Sequence, residues 1–81
     1  MSYEEKFIEK LTKSKNYEGS LKELICDTSQ PVRLRKEGVK MLAGINVEFG
    51  TKCKKGNLWI NNDISRLDLE QLSTYLIKSK S

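Results

Sequence analysis

In the first half of the chain, apolar residues recur every three or four positions, which is the period of an amphipathic helix. This pattern predicts three helices, at about residues 3–14, 20–27 and 31–43. Ser2 and Ser20 are the predicted N-caps of the first two, because each has a glutamate three residues later. Pro31 suits the first turn of the third helix, with Ser29 as its cap, and Gly44 suits the residue that ends it.

From Val47 the apolar period changes to two, as in a half-buried strand. This alternation predicts a β-hairpin with strands at about 47–53 and 58–64. A loop of even length around Gly56 brings the apolar residues of both strands onto one face. Trp59 then lies on the other face, opposite Lys52.

Near the C-terminus the helical period returns and predicts a helix at about 69–79. Asp68 is its predicted cap, and Leu67 with Leu72 is a predicted hydrophobic staple. The sequence therefore predicts one small α+β domain over residues 1–81, with three helices, a hairpin and a final helix.

This order of elements resembles that of the winged helix-turn-helix proteins. The resemblance rests on the short helix at 20–27, the basic helix at 31–43 and the turn CKKGN at 53–57. It implies that residues 31–43 form a recognition helix and that the turn forms the wing. The likeness covers about half of the chain, and the stretch KNYEG at 15–19 is a poor match to the strand that usually precedes the motif.

The net charge of +4 is concentrated in the middle third of the chain. Residues 33–55 carry seven basic and two acidic residues, a net charge of +5. Residues 1–32 carry five basic and six acidic residues, and residues 56–81 carry three of each. Such asymmetry favours a polyanionic partner, of which nucleic acid is the commonest.

Basic residues form two groups in this region, one on the third helix and one at the hairpin turn. The predicted nucleic-acid-binding residues are Arg33, Lys36, Lys40, Lys52, Lys54, Lys55 and Trp59. The helical group also fits a solvated surface, and the tryptophan also fits a small core. Arg35 falls on the apolar side of the helix, where it is expected to extend to solvent or to pair with an acid.

No catalytic pattern accompanies this charge. The chain has no histidine, the commonest general base and metal ligand near neutral pH. Cys26 and Cys53 are expected to be small buried hydrophobic residues rather than a zinc site. Since the chain also has no phosphate-binding glycine loop and no serine elbow, we expect no enzyme, no metal site and no cofactor.

Two functions fit these observations. The first is a small regulator or accessory factor that binds DNA or RNA; the alternative is a module that binds an acidic surface of a partner protein. Self-association through Met41, Ile45 or Ile77 is compatible with both, so a homodimer stays open. No signal peptide or membrane span is expected, which favours the cytoplasm. The richness in Lys, Asn and Ile suggests a low-GC bacterium, or a virus in the cytoplasm of such a host.

Overall fold

The fold was derived from a computed structural model, which describes residues 3–55 and 64–79. Within these ranges all regular structure is helical, and no strand occurs. The helices are α1 (Tyr3–Thr12), α2 (Tyr17–Cys26), α3 (Val32–Ile45), α4 (Val47–Lys55) and α5 (Arg66–Ser79). The prediction of an α+β fold is therefore wrong.

The predicted first strand at 47–53 forms α4 instead. Phe49 and Cys53 are four residues apart, so they share one face of a helix as readily as one face of a strand. Both side chains are buried, with 1% and 0% of their surfaces exposed. Asn46 favours the helix, because its side-chain oxygen accepts a 3.0 Å hydrogen bond from the backbone N–H of Phe49.

Most of the predicted second strand at 58–64 lies outside the described residues. Its last residue, Ile64, is described; it is buried and does not belong to a strand. Residues 53–55 of the predicted wing form the last turn of α4, and residues 56–57 lie outside the described part. The resemblance to winged proteins fails because it needs a hairpin where α4 occurs.

The ends of α2 and α3 differ from the predicted ones. The α2 helix begins before Ser20, because the side-chain oxygen of Asn16 accepts a 3.1 Å hydrogen bond from the backbone N–H of Gly19. The N-cap position of α3 is Pro31, and the hydroxyl of Ser29 donates to Asp27 instead of capping the helix. Gly44 does not end α3, which continues to Ile45.

The start of α5 is set by a capping box. Ser65 donates its backbone N–H to Asp68 over 2.7 Å, and the backbone N–H of Asp68 lies 3.3 Å from the Ser65 hydroxyl. Ser65 is therefore the cap, three residues before the predicted one. The staple positions become Ile64 and Leu69, which are both buried, whereas the predicted staple residue Leu67 is 69% exposed.

Helix α2 lies at the centre and packs against both α3 and α5. Helix α4 packs on α3, and α1 packs on α2. One core cluster joins the elements from α2 onward: Leu21, Ile25, Val39, Leu42, Phe49, Cys53, Ile64, Leu69, Leu72 and Leu76. Gly38 lets α2 and α3 approach closely, since a Cβ there would lie 3.1 Å from the Leu24 side chain.

Arg35 is buried at the junction of α2, α3 and α5, with 4% of its surface exposed. Its Nε donates to the carbonyl oxygen of Ile25 over 2.8 Å, and its Nη2 donates to the Ser73 hydroxyl over 3.3 Å. It does not reach solvent as one alternative expected, and although Asp27 is near enough for an electrostatic interaction, the guanidinium forms no salt bridge with it. The guanidinium binds instead to the Ile25 carbonyl in the last turn of α2. The helix dipole favours a cation at this end of a helix.

Candidate nucleic-acid interface

Three of the four basic residues of α3, Arg33, Lys36 and Lys40, lie on the side of the helix that faces away from the core, whereas Arg35 is buried. Arg33 is exposed, whereas Lys36 and Lys40 are half-buried. Within the described part of the chain, neither lysine forms a hydrogen bond or an ion pair. Their ammonium groups are therefore available to an external anion.

Arg33 lies in a different environment from the two lysines. It lines a cleft of about 440 Å³ between α1 and α3, together with Ile8, Glu5, Glu9 and Glu37. Three carboxylates in this cleft attract the guanidinium and repel a phosphate group. Of the predicted site residues on α3, Arg33 is thus the least suited to bind a polyanion.

Lys54 lies on the side of α4 that faces α3. A Cβ on Gly50 would lie only 3.0 Å from the backbone oxygen of Ala43, so the two helices nearly touch at this point. Lys54 follows Gly50 by four residues and Lys40 precedes Ala43 by three, so each lysine lies on the same side of its helix as the contact. We refer to Lys36, Lys40 and Lys54 as the α3–α4 lysine group.

Lys52 and Lys55 lie on another side of α4, toward α5. They line a cleft of about 310 Å³ with Glu48, Thr51 and Tyr75, which we refer to as the α4–α5 cleft. The ammonium nitrogen of Lys52 lies over the ring of Tyr75, 5.4 Å from its centroid. The Tyr75 hydroxyl donates a hydrogen bond of 3.2 Å to Glu48. Both lysines also suit the last turn of α4, where cations offset the helix dipole.

The corner between α3 and α4 is a single residue, Asn46. Besides capping α4, its side-chain amide nitrogen donates a 2.6 Å hydrogen bond to Glu18 of α2. The backbone N–H of Asn46 also bonds to the Leu42 carbonyl at the end of α3. Through its backbone and its side chain, this one residue therefore bonds to the end of α3, to the start of α4 and to α2.

Trp59 lies outside the described residues, and its predicted place opposite Lys52 was derived from the hairpin alone. The hairpin pairing on which that prediction depended does not exist, because Lys52 is in α4. Tyr75 was not among the predicted site residues, although it lies at the margin of the apolar side of the last helix. A helical reading of residues 47–55 would have placed Glu48, Lys52 and Lys55 on one face and indicated the α4–α5 cleft.

The described residues contain no group of three or more Cys, Asp or Glu side chains arranged to hold a metal ion. No helix in the described ranges combines the length and the apolar character needed to cross a bilayer. Comparisons with known protein families, with curated proteins and with solved structures found no match to this chain.

Proposed function

We propose that this protein is a small nucleic-acid-binding regulator or accessory factor, which contacts the phosphates of DNA or RNA through the lysines of α3 and α4. One observation carries the proposal. Residues 33–55 carry a net charge of +5, and the fold buries only one of their seven basic side chains, Arg35. The other six are exposed or half-buried.

The arrangement suits phosphates better than it suits a single small anion. The α3–α4 lysine group comes from two helices, and Lys52 and Lys55 extend the positive surface around α4 toward α5. Lysine contacts phosphate as a compact point charge that needs no fixed geometry. A series of such charges binds a nucleic-acid backbone through the release of counterions, whatever the base sequence.

Titration of labelled single- and double-stranded DNA and RNA tests this proposal. The triple variant Lys36→Gln, Lys40→Gln, Lys54→Gln should bind all of these nucleic acids more than about tenfold more weakly than the wild type at low salt. The triple variant Lys6→Gln, Lys10→Gln, Lys15→Gln removes the same charge from exposed positions elsewhere and should bind nearly as well as the wild type. Equal losses in the two variants, or no binding by the wild type, would refute the proposal.

A protein partner with an acidic surface is the second candidate, and the corner between α3 and α4 favours it. Val47 and Ile45 flank Asn46 with exposed fractions of 84% and 51%. Phosphate contacts make no use of exposed aliphatic side chains, whereas the centre of a protein interface does. Nucleic acid that copurifies and is removed by nuclease would favour the first function. A protein free of nucleic acid that captures one acidic partner would favour the second.

A further inference from the structure

We propose that the α4–α5 cleft takes one unpaired base on the ring of Tyr75, so that the protein prefers single-stranded to double-stranded nucleic acid. The inference rests on the proposed function and adds the form of nucleic acid that is bound. It assigns a stacking role to Tyr75, which the charge pattern of the sequence does not reveal.

The ring of Tyr75 is held in place before any ligand arrives. It packs against Phe49, with ring centroids 6.4 Å apart and planes inclined by 30°. Phe49 is 1% exposed and belongs to the core, so it is a rigid support. The hydrogen bond from the Tyr75 hydroxyl to Glu48 fixes the other end of the ring. A base that stacks here meets a ring whose orientation is already set.

Lys52 covers the ring with a group that a ligand can displace. Its ammonium lies 5.4 Å from the ring centroid, but the side chain is exposed, so the cation–π attraction is weak. A phosphate of the incoming strand competes for the same ammonium. When Lys52 turns toward that phosphate, the face of Tyr75 becomes free for the adjacent base.

Charge separates the place of the base from the place of the phosphate. The Glu48 carboxylate lines the cleft and repels phosphate from it, whereas Lys52 and Lys55 attract phosphate at its edge. The volume of about 310 Å³ is at the lower end of the range for small-ligand sites, roughly 300–1,000 Å³. A base in a duplex is stacked on both sides and must leave its pair to enter such a cleft. Base–aromatic stacking therefore favours a single strand.

Binding of a labelled oligothymidylate and of a blunt DNA duplex tests the inference. The wild type should bind the single strand more tightly. Tyr75→Leu keeps an apolar side chain against Phe49 but removes the ring, and should weaken single-strand binding by roughly 5- to 150-fold while changing duplex binding by less than about twofold. Tyr3→Leu, at an exposed position on α1, is the matched control and should change neither.

Two further variants keep the test valid if Tyr75→Leu fails to fold, as judged by circular dichroism. Tyr75→Phe keeps the ring and should bind the single strand within about twofold of the wild type, and Tyr75→Trp should bind it more tightly because its face is larger. The inference would be overturned, and the proposed function left standing, by either of two results. One is equal affinity of the wild type for the single strand and the duplex; the other is an equal loss of affinity for both in Tyr75→Leu. A wild type that binds neither would overturn both.

Discussion

At the scale of single residues, Arg35 joins three helices through hydrogen bonds from one guanidinium. The acceptors are the carbonyl oxygen of Ile25 in α2 and the hydroxyl of Ser73 in α5. The Ser73 hydroxyl lies 2.7 Å from the Leu69 carbonyl oxygen and 3.2 Å from that of Ile25, so its single hydrogen serves mainly Leu69. Removal of the arginine would take a hydrogen-bond donor away from the Ile25 carbonyl and the Ser73 hydroxyl, and would open a cavity between the helices. Both effects destabilise a small core.

Arg35→Ala should therefore lower the free energy of unfolding by about 2–4 kcal/mol. Arg33→Ala, on the exposed side of the same helix, should lower it by less than about 1 kcal/mol, because exposed charged groups contribute little. Urea denaturation of the two variants measures the difference. Similar losses in both would mean that the buried hydrogen bonds of Arg35 do not stabilise the fold.

The thiol of Cys53 should make the stability depend on alkaline pH. Its complete burial raises the pKa of the thiol in the folded state above the unfolded value of about 8.5. The folded state then retains a proton that the unfolded state loses. The resulting stabilisation is fully present below about pH 8.5 and is lost as the pH rises through the folded-state pKa. Burial and the nearby Glu48 carboxylate raise the pKa of Tyr75 as well.

Urea denaturation of Cys53→Ala at a series of pH values from neutral to alkaline checks this prediction. The variant should be less stable at neutral pH, because a buried side chain is truncated. Its stability should fall less steeply than that of the wild type above about pH 8.5. Parallel curves for the two proteins would show that the thiol does not contribute to the alkaline loss.

At the scale of elements, α4 is where sequence reasoning gave the wrong result, and the reason is local. Val47, Phe49, Thr51 and Cys53 alternate with polar residues or glycine, and β-branched residues and Gly50 count against a helix. The tertiary contacts outweigh these preferences. Phe49 and Cys53 bury their side chains on one helical face, Asn46 caps the helix, and Gly50 allows α4 to approach α3.

Two glycines in this pair of helices should respond to alanine with opposite signs. Gly44→Ala, in α3, adds a Cβ that meets nothing within 4 Å, so the better helix propensity should stabilise the protein by about 0.5–1 kcal/mol. Gly50→Ala, in α4, adds a Cβ only 3.0 Å from the backbone oxygen of Ala43, which cannot move as a side chain can. This variant should be destabilised despite the same gain in propensity.

Thermal denaturation followed by circular dichroism compares the two glycine variants directly. The melting temperature should rise for Gly44→Ala and fall for Gly50→Ala. A rise for both would mean that α4 does not pack closely on α3 at Ala43, and the position assigned to Lys54 beside Lys36 and Lys40 would then be wrong.

For the molecule as a whole, the periodicity of apolar residues predicted where most helices lie along the chain, but not how the helices pack against one another. It placed helices near those at Tyr3–Thr12, Tyr17–Cys26, Val32–Ile45 and Arg66–Ser79, and it placed the basic side of α3 away from the core. It could not show that Arg33 lies among three acids of α1 and α3, or that Tyr75 lies beside Lys52. Those arrangements depend on how separate helices dock, and no pattern within a single element encodes them.

Phosphate binding by the lysines of α3 and α4 makes duplex DNA binding depend strongly on salt concentration. For five phosphate contacts, the logarithm of the association constant should fall with a slope of about −4.5 against the logarithm of salt concentration. The five contacts are those of Lys36, Lys40, Lys52, Lys54 and Lys55. For the triple variant Lys36→Gln, Lys40→Gln, Lys54→Gln, which keeps only the contacts of Lys52 and Lys55, the slope should be about −1.8. A wild-type slope near zero, or the same slope in both proteins, would mean that these lysines do not bind phosphates.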